Sequence, residues 1–138
     1  MELAVACYEL TKSFPREEIY GMTSQVRRAA AAVPANVAEG YGRENPGEFV
    51  QFLRMAQGSL KELETHLLLA SRVELTKSQT IAPVLGQCET VGKMLRALIR
   101  SIQKRRGSGG RETVNRGKDD SRFTTLDSRA PKRADYQE

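Results

Sequence analysis

Apolar residues recur three and four apart in four stretches of this chain, the spacing of helices that pack into a bundle. In the first stretch Leu3, Cys7, Leu10 and Phe14 form a seam that predicts a helix over about 2–12. Phe14-Pro15 interrupts it, because a residue before proline is pushed out of the helical region. Gly21 marks the far end of the short connection that follows, and Thr23 is placed as the N-cap of the next helix. That second helix is predicted over about 22–41. Val26, Ala30, Val33 and Val37 form its apolar stripe, and alanines keep the neighbouring faces flat enough for close approach. Pro34 removes a backbone donor and is expected to kink it.

Asn45-Pro46-Gly47-Glu48 opens the third helix with an N-cap, a first-turn proline and a capping-box glutamate. A connection this tight requires the second and third helices to pack antiparallel. Phe49, Leu53, Ala56, Leu60, Leu63, Leu67 and Ala70 then alternate four and three apart, the clearest heptad seam in the chain. Gly58-Ser59 within it is expected to mark a close crossing. The fourth helix is predicted over about 77–105, with Ile81, Val84, Cys88, Val91, Leu95, Leu98 and Ile102 as its seam. Beyond Arg106 the chain turns to Gly107-Ser-Gly-Gly110 and then to a polar, charge-mixed stretch whose large apolar side chains are only Val114, Phe123, Leu126 and Tyr136. Such a segment buries too little to fold by itself. The reading is therefore an all-α, antiparallel up-down four-helix bundle over residues 1–106, with a tail over 107–138 that is disordered or folds only on a partner.

The segment from Gln25-Val-Arg-Arg-Ala through Pro34-Ala-Asn-Val-Ala-Glu-Gly40 carries a more specific signal. It resembles the bacterial 23S rRNA intervening-sequence proteins, whose pattern is glutamine-hydrophobic-Arg-Arg-Ala followed by Pro-Ala-Asn-hydrophobic-Ala-Glu-Gly. The resemblance continues through residues 48–64 and weakens along 91–99, covering residues 1 to about 106. It implies a four-helix bundle and a first helix beginning a couple of turns before Met1. The better understood relatives are accessory variability proteins of diversity-generating retroelements. Through them the resemblance further implies a homopentamer that binds nucleic acid and a reverse transcriptase.

Composition narrows the class. The 138 residues are one domain's worth, Trp is absent and aromatic residues make up 6%, so aliphatic side chains must do most of the packing. Cys7 and Cys88 both lie on apolar helix faces with no partner at metal-ligand spacing, which reads as buried free thiols in a reducing, cytoplasmic compartment. No apolar run approaches bilayer-spanning length, and the N-terminus lacks the basic-then-apolar order of a signal peptide.

Enzyme chemistry finds little support. A di-iron bundle needs Glu-x-x-His pairs, but the single histidine, His66, has Leu63 three residues before it and Glu62 four before it. Arg54 lies too far upstream of His66 for the paired arginine and histidine of helical nucleases. Residues 1–106 hold no aspartate for a Ser-His-Asp triad. Gly40-Tyr41-Gly42-Arg43 follows a helix rather than a strand, so these glycines read as a helix terminus and not a phosphate loop. No catalytic residue, metal or cofactor is expected.

Charge points elsewhere. The formal net charge is +5, and from residue 77 to 106 Lys77, Lys93, Arg96, Arg100, Lys104, Arg105 and Arg106 stand against Glu89 alone. Lys93, Arg96, Arg100 and Lys104 follow three- and four-residue steps, a basic ridge along the last helix, and with Arg105 and Arg106 they are the candidate nucleic-acid contacts. With few aromatic residues for base stacking, this composition suits RNA or DNA held through phosphates with little sequence specificity. An acidic protein partner on the same ridge is the alternative. A second candidate set, Gln25, Arg28, Asn36, Glu39 and Arg43, runs beside the apolar stripe of the second helix and reads as a polar network between helices or subunits. The alanine-rich second helix, with Phe52, Met55, Leu68 and Leu69, offers more apolar surface than one seam consumes, which predicts a homo-oligomer.

Overall fold

A computed structural model describes residues 1–115. It holds α1 (Glu2–Thr11), a single 3-10 turn (Arg16–Glu18), α2 (Met22–Gly42), α3 (Pro46–Arg72) and α4 (Ser78–Asn115), with no strand among the described residues. In contact, α1 meets α2 and α4, α2 meets α3, and α3 meets α4, so the helices close a ring around one core. Leu53, Leu60, Leu63 and Leu67 of α3 are fully buried at its centre beside Cys7, Val26, Ala29, Ala30 and Cys88. Each such leucine removed from water contributes roughly 1.5–3 kcal/mol, which makes the α3 seam the main source of cohesion.

The helix boundaries follow local chemistry. Asn45 caps α3 as its sequence predicts, its side-chain oxygen accepting from Gly47 N–H at 2.8 Å and Glu48 N–H at 3.1 Å. α3 ends where Glu74 takes a left-handed backbone, φ 64°, and Leu75 N–H bonds back to Ala70 C=O at 2.9 Å. α2 is capped differently from the sequence expectation. Thr23 is buried inside the helix rather than at its start. The carboxylate of Glu18 in the 3-10 turn accepts from Met22 N–H at 2.9 Å instead. Thr11 ties α1 to α2, donating to Cys7 C=O at 2.9 Å while accepting from Arg27 Nε at 2.8 Å. The Arg27 guanidinium also lies over the Tyr8 ring, 4.8 Å from its centroid.

Four further expectations are corrected. Phe49 is only partly buried and Val50 takes its place in the core. Gly58 is exposed, and a Cβ there would meet nothing within 4 Å. The close crossing of α2 and α3 is at Gly40, where a Cβ would stand 2.5 Å from the Cβ of Phe52. In α4 the seam steps from Leu95 to buried Ile99, four residues on, leaving Leu98 38% exposed. Finally, α4 does not stop near residue 105 but runs to Asn115. Glycine disfavours a helix by about 1 kcal/mol per residue without forbidding it, and Ser108 Oγ donates to Lys104 C=O at 3.2 Å within the continued turns. Residues 107–115, read from the sequence as the start of the tail, are thus helical. Residues 116–138 lie outside the described residues.

α1 has ten residues against twenty-one in α2. Beside Leu3 and Ala4 of α1 an open apolar groove of about 920 Å³ runs between α2 and α4, lined by Val37, Ala38 and Tyr41 on one side and Val91, Met94 and Leu98 on the other. Tyr41 and Met94 are 77% and 64% exposed there.

Candidate nucleic-acid interface

The length of α4 places the basic candidates. At a rise of about 1.5 Å per residue its 38 residues extend about 57 Å, against about 40 Å for the 27 of α3. Lys93, Arg96, Arg100 and Lys104 are all exposed, and Lys93 is paired with Glu89 at 3.1 Å. Arg96, Arg100 and Lys104 have no carboxylate partner among the described residues. Arg105 and Arg106 lie elsewhere on the surface. They line a groove of about 630 Å³ with Tyr41, Glu44, Asn45 and Pro46 at the α2–α3 connection. The guanidinium nitrogens of Arg106 come within 3.5 Å of where a side chain on Gly47 would begin. The six basic candidates thus occupy two separate surfaces.

Two residues not singled out in the basic ridge join it. Arg54 and Gln57 of α3 line one cleft with Arg96, Ile99 and Arg100 of α4. Their positions beside the seam residues Leu53 and Ala56 are the only sequence signal for this, and it becomes informative once the partner of that seam is known to be α4.

The polar line of α2 resolves into three parts. Arg28 donates to Gln25 at 2.9 Å and to Glu62 of α3. Glu62 in turn faces the half-buried His66 at 3.3 Å. These hydrogen bonds, from Arg28 first and His66 second, hold the Glu62 carboxyl below the usual glutamate range. Arg43 pairs with Glu39 at 3.2 Å and lies 5.2 Å from the centroid of the Phe52 ring. Asn36 donates to Ala32 C=O, one turn back on its own helix, at 2.9 Å. The Arg28 part links two helices by hydrogen bonds, and Arg43 reaches α3 through the Phe52 ring. His66 is engaged with Glu62, and no group of three or more His, Cys, Asp or Glu side chains among the described residues is placed to hold a metal ion. No helix among the described residues is long and apolar enough to cross a membrane.

Both cysteines are buried. Burial pushes the Cys7 thiol up to about 11 and the Cys88 thiol to about 12, with the proximity of Cys7 adding to the second.

Helices alone, one aliphatic core and an unpaired cationic edge define a small all-α bundle protein with no recognisable catalytic centre among the described residues. The model of the 23S rRNA-intervening sequence proteins matches residues 1–97, and the chain belongs to that family. Among solved structures it is similar to a protein of unknown function from the S23 ribosomal protein family of Bacteroides thetaiotaomicron. The TM-score is 0.63 and the identity 22%, over 71% of this chain and 92% of that one. At that identity the likeness speaks for the fold. No curated protein matches the sequence.

Proposed function

We propose that this chain is a non-enzymatic, homo-oligomeric helical bundle that binds RNA or DNA through basic helix faces with little sequence specificity. The observation that carries the reading is the run Arg96, Arg100 and Lys104, exposed at one-turn intervals and without carboxylate partners among the described residues. Cations left open in this way attract a polyanion and release its counterions on contact. The ring of helix contacts supports an up-down arrangement of the four helices. The open apolar groove between α2 and α4 supports self-association, since a second copy seated there would remove Tyr41, Met94 and Leu98 from water. The subunit number of five and a reverse transcriptase partner rest on the family resemblance, and a cytoplasmic location on the free thiols.

The test is fluorescence anisotropy of a short labelled RNA and of a matching DNA duplex, titrated with the full chain at several salt concentrations. Micromolar or tighter binding that falls steeply as salt rises is the expected result. No binding at low salt would overturn the reading and make the basic face a docking surface for an acidic protein.

A further inference from the structure

Resting on the nucleic-acid reading above, we infer that the cleft between α3 and α4 is a seat for a single phosphodiester group, formed by Arg54 and Gln57 on α3 with Arg96 and Arg100 on α4. The four side chains come from two helices and line one cleft of about 340 Å³ backed by the buried Ile99. The helices come close beside it at Gly92, where a Cβ would lie 3.4 Å from Leu60 and 3.4 Å from the Arg96 guanidinium. Arg96 thereby lies over a residue without a side chain, along the α3 side of its own helix.

The pattern of ion pairing singles these groups out. On the same two helices Lys61 is paired with Glu64 at 3.0 Å and Lys93 with Glu89 at 3.1 Å. Arg54, Arg96 and Arg100 have no carboxylate within pairing distance among the described residues. The available carboxylates answer the lysines, and three arginines that line one cleft are left without a carboxylate partner among the described residues, the Arg96 guanidinium reaching back over Gly92 toward the neighbouring cleft of Lys61, Glu64 and Glu89. Planar guanidinium forks match the oxygen pairs of a phosphate better than ammonium groups do, and the Gln57 amide supplies a neutral donor beside them. Lys104 stands one turn beyond Arg100, so the cationic line continues where the next phosphates of a strand would run. A free phosphate ion would have no use for that continuation.

The test compares the full-length wild type with Arg54→Gln, Arg54→Lys, Arg100→Gln and Lys104→Gln by anisotropy of a labelled single-stranded RNA across a salt series. Circular dichroism and native mass confirm that each variant keeps its helices and assembly. Arg54→Gln is expected to weaken binding on the order of tenfold, the worth of one charge-assisted hydrogen bond, and to lower the slope of log affinity against log salt by about one. Arg54→Lys should recover only part of the loss. An unchanged Arg54→Gln beside a weakened Arg100→Gln or Lys104→Gln overturns the two-helix seat while leaving the ridge in place. A wild type that binds no RNA at low salt overturns the seat and the nucleic-acid reading together. In a further arm inorganic phosphate is added at ionic strength matched by chloride. Phosphate that displaces RNA from wild type more than from Arg54→Gln, beyond the chloride control, is the result expected if an RNA phosphate occupies the Arg54 seat, and substantial displacement that is equal in both would overturn it.

Discussion

Gly40 and Phe52 bring α2 and α3 closer together than any other side chain at position 40 would allow, since a Cβ on Gly40 would stand 2.5 Å from the Cβ of Phe52. Around this contact Tyr41 meets Phe49 edge to face, with centroids 6.0 Å apart, and Arg43 covers Phe52. Gly40→Ala is therefore expected to destabilise the fold by about 1–3 kcal/mol, as overpacking does when the obstacle is close to a backbone. Gly58→Ala, exposed in mid-helix with nothing within 4 Å, should instead stabilise by roughly 0.5–1 kcal/mol. Urea denaturation of the two variants measures both signs. Equal effects would contradict the crossing point.

The buried thiols set a chemical expectation. With Cys7 pushed up to about 11 and Cys88 to about 12 by burial, neither supplies thiolate at neutral pH. Alkylation should be slow in the native protein and complete for both residues in denaturant. The unfolded chain loses these protons near the ordinary value of 9.0, before the folded chain does, so stability should fall as pH rises from about 9 through 11–12. Rapid native labelling of either cysteine at pH 7 would show that its helix opens readily.

At the acidic end the relevant group is Glu62. Its folded-state value is depressed by Arg28 and His66, so the stability that this pairing contributes is present above the ordinary glutamate range and is lost as pH falls through the depressed value. The group is well exposed, and solvent screening keeps the effect small. Thermal melts from pH 6 down to pH 3 should show a smaller acid-induced loss for Glu62→Gln than for wild type. Parallel curves would remove the bridge from the stability account.

Self-association is tested at the groove. Leu98→Glu and Met94→Glu place a charge on its exposed α4 wall and should shift the native mass toward monomer with helicity retained. Ala30, in the apolar stripe of the alanine-rich α2, is fully buried within the subunit, so a large charged side chain there would disrupt the fold itself. Ala31 is exposed and remains a valid interface probe. A wild type that is monomeric at all concentrations would end the oligomer reading.

Seams and caps were legible because they are local. The Leu53 to Ala70 spacing and the Asn45-Pro46 signal each depend on residues within a turn or two, and the structure reproduces them. What escaped depended on which surfaces meet. Leu98 and Ile99 are equally apolar neighbours, and only the packing partners of α4 choose Ile99 for the core. Gly58 and Gly40 are alike as glycines until the crossing of α2 on α3 is known. Arg54 and Gln57 become part of the basic edge for the same reason, because α3 lays them beside Arg96 and Arg100 across sequence separations no periodicity reports. The reach of α4 past Arg106 was missed on a weaker ground, the treatment of glycine as a stop when no proline follows it before Asn115.

The open groove between α2 and α4 also divides the molecule in time. Where Thr11 holds Arg27 four helices enclose the core, whereas from Ala38 to Gly42 α2 packs on α3 and faces α4 only across the open groove. Amide hydrogens along Val37–Tyr41 and Met94–Leu98 should accordingly exchange through local openings, while those around Leu60 and Leu63 wait for global unfolding. A second copy lying in the groove would slow exchange in the first set and leave the second unchanged. The two ends of one bundle would then keep different clocks, and only one of them would register assembly.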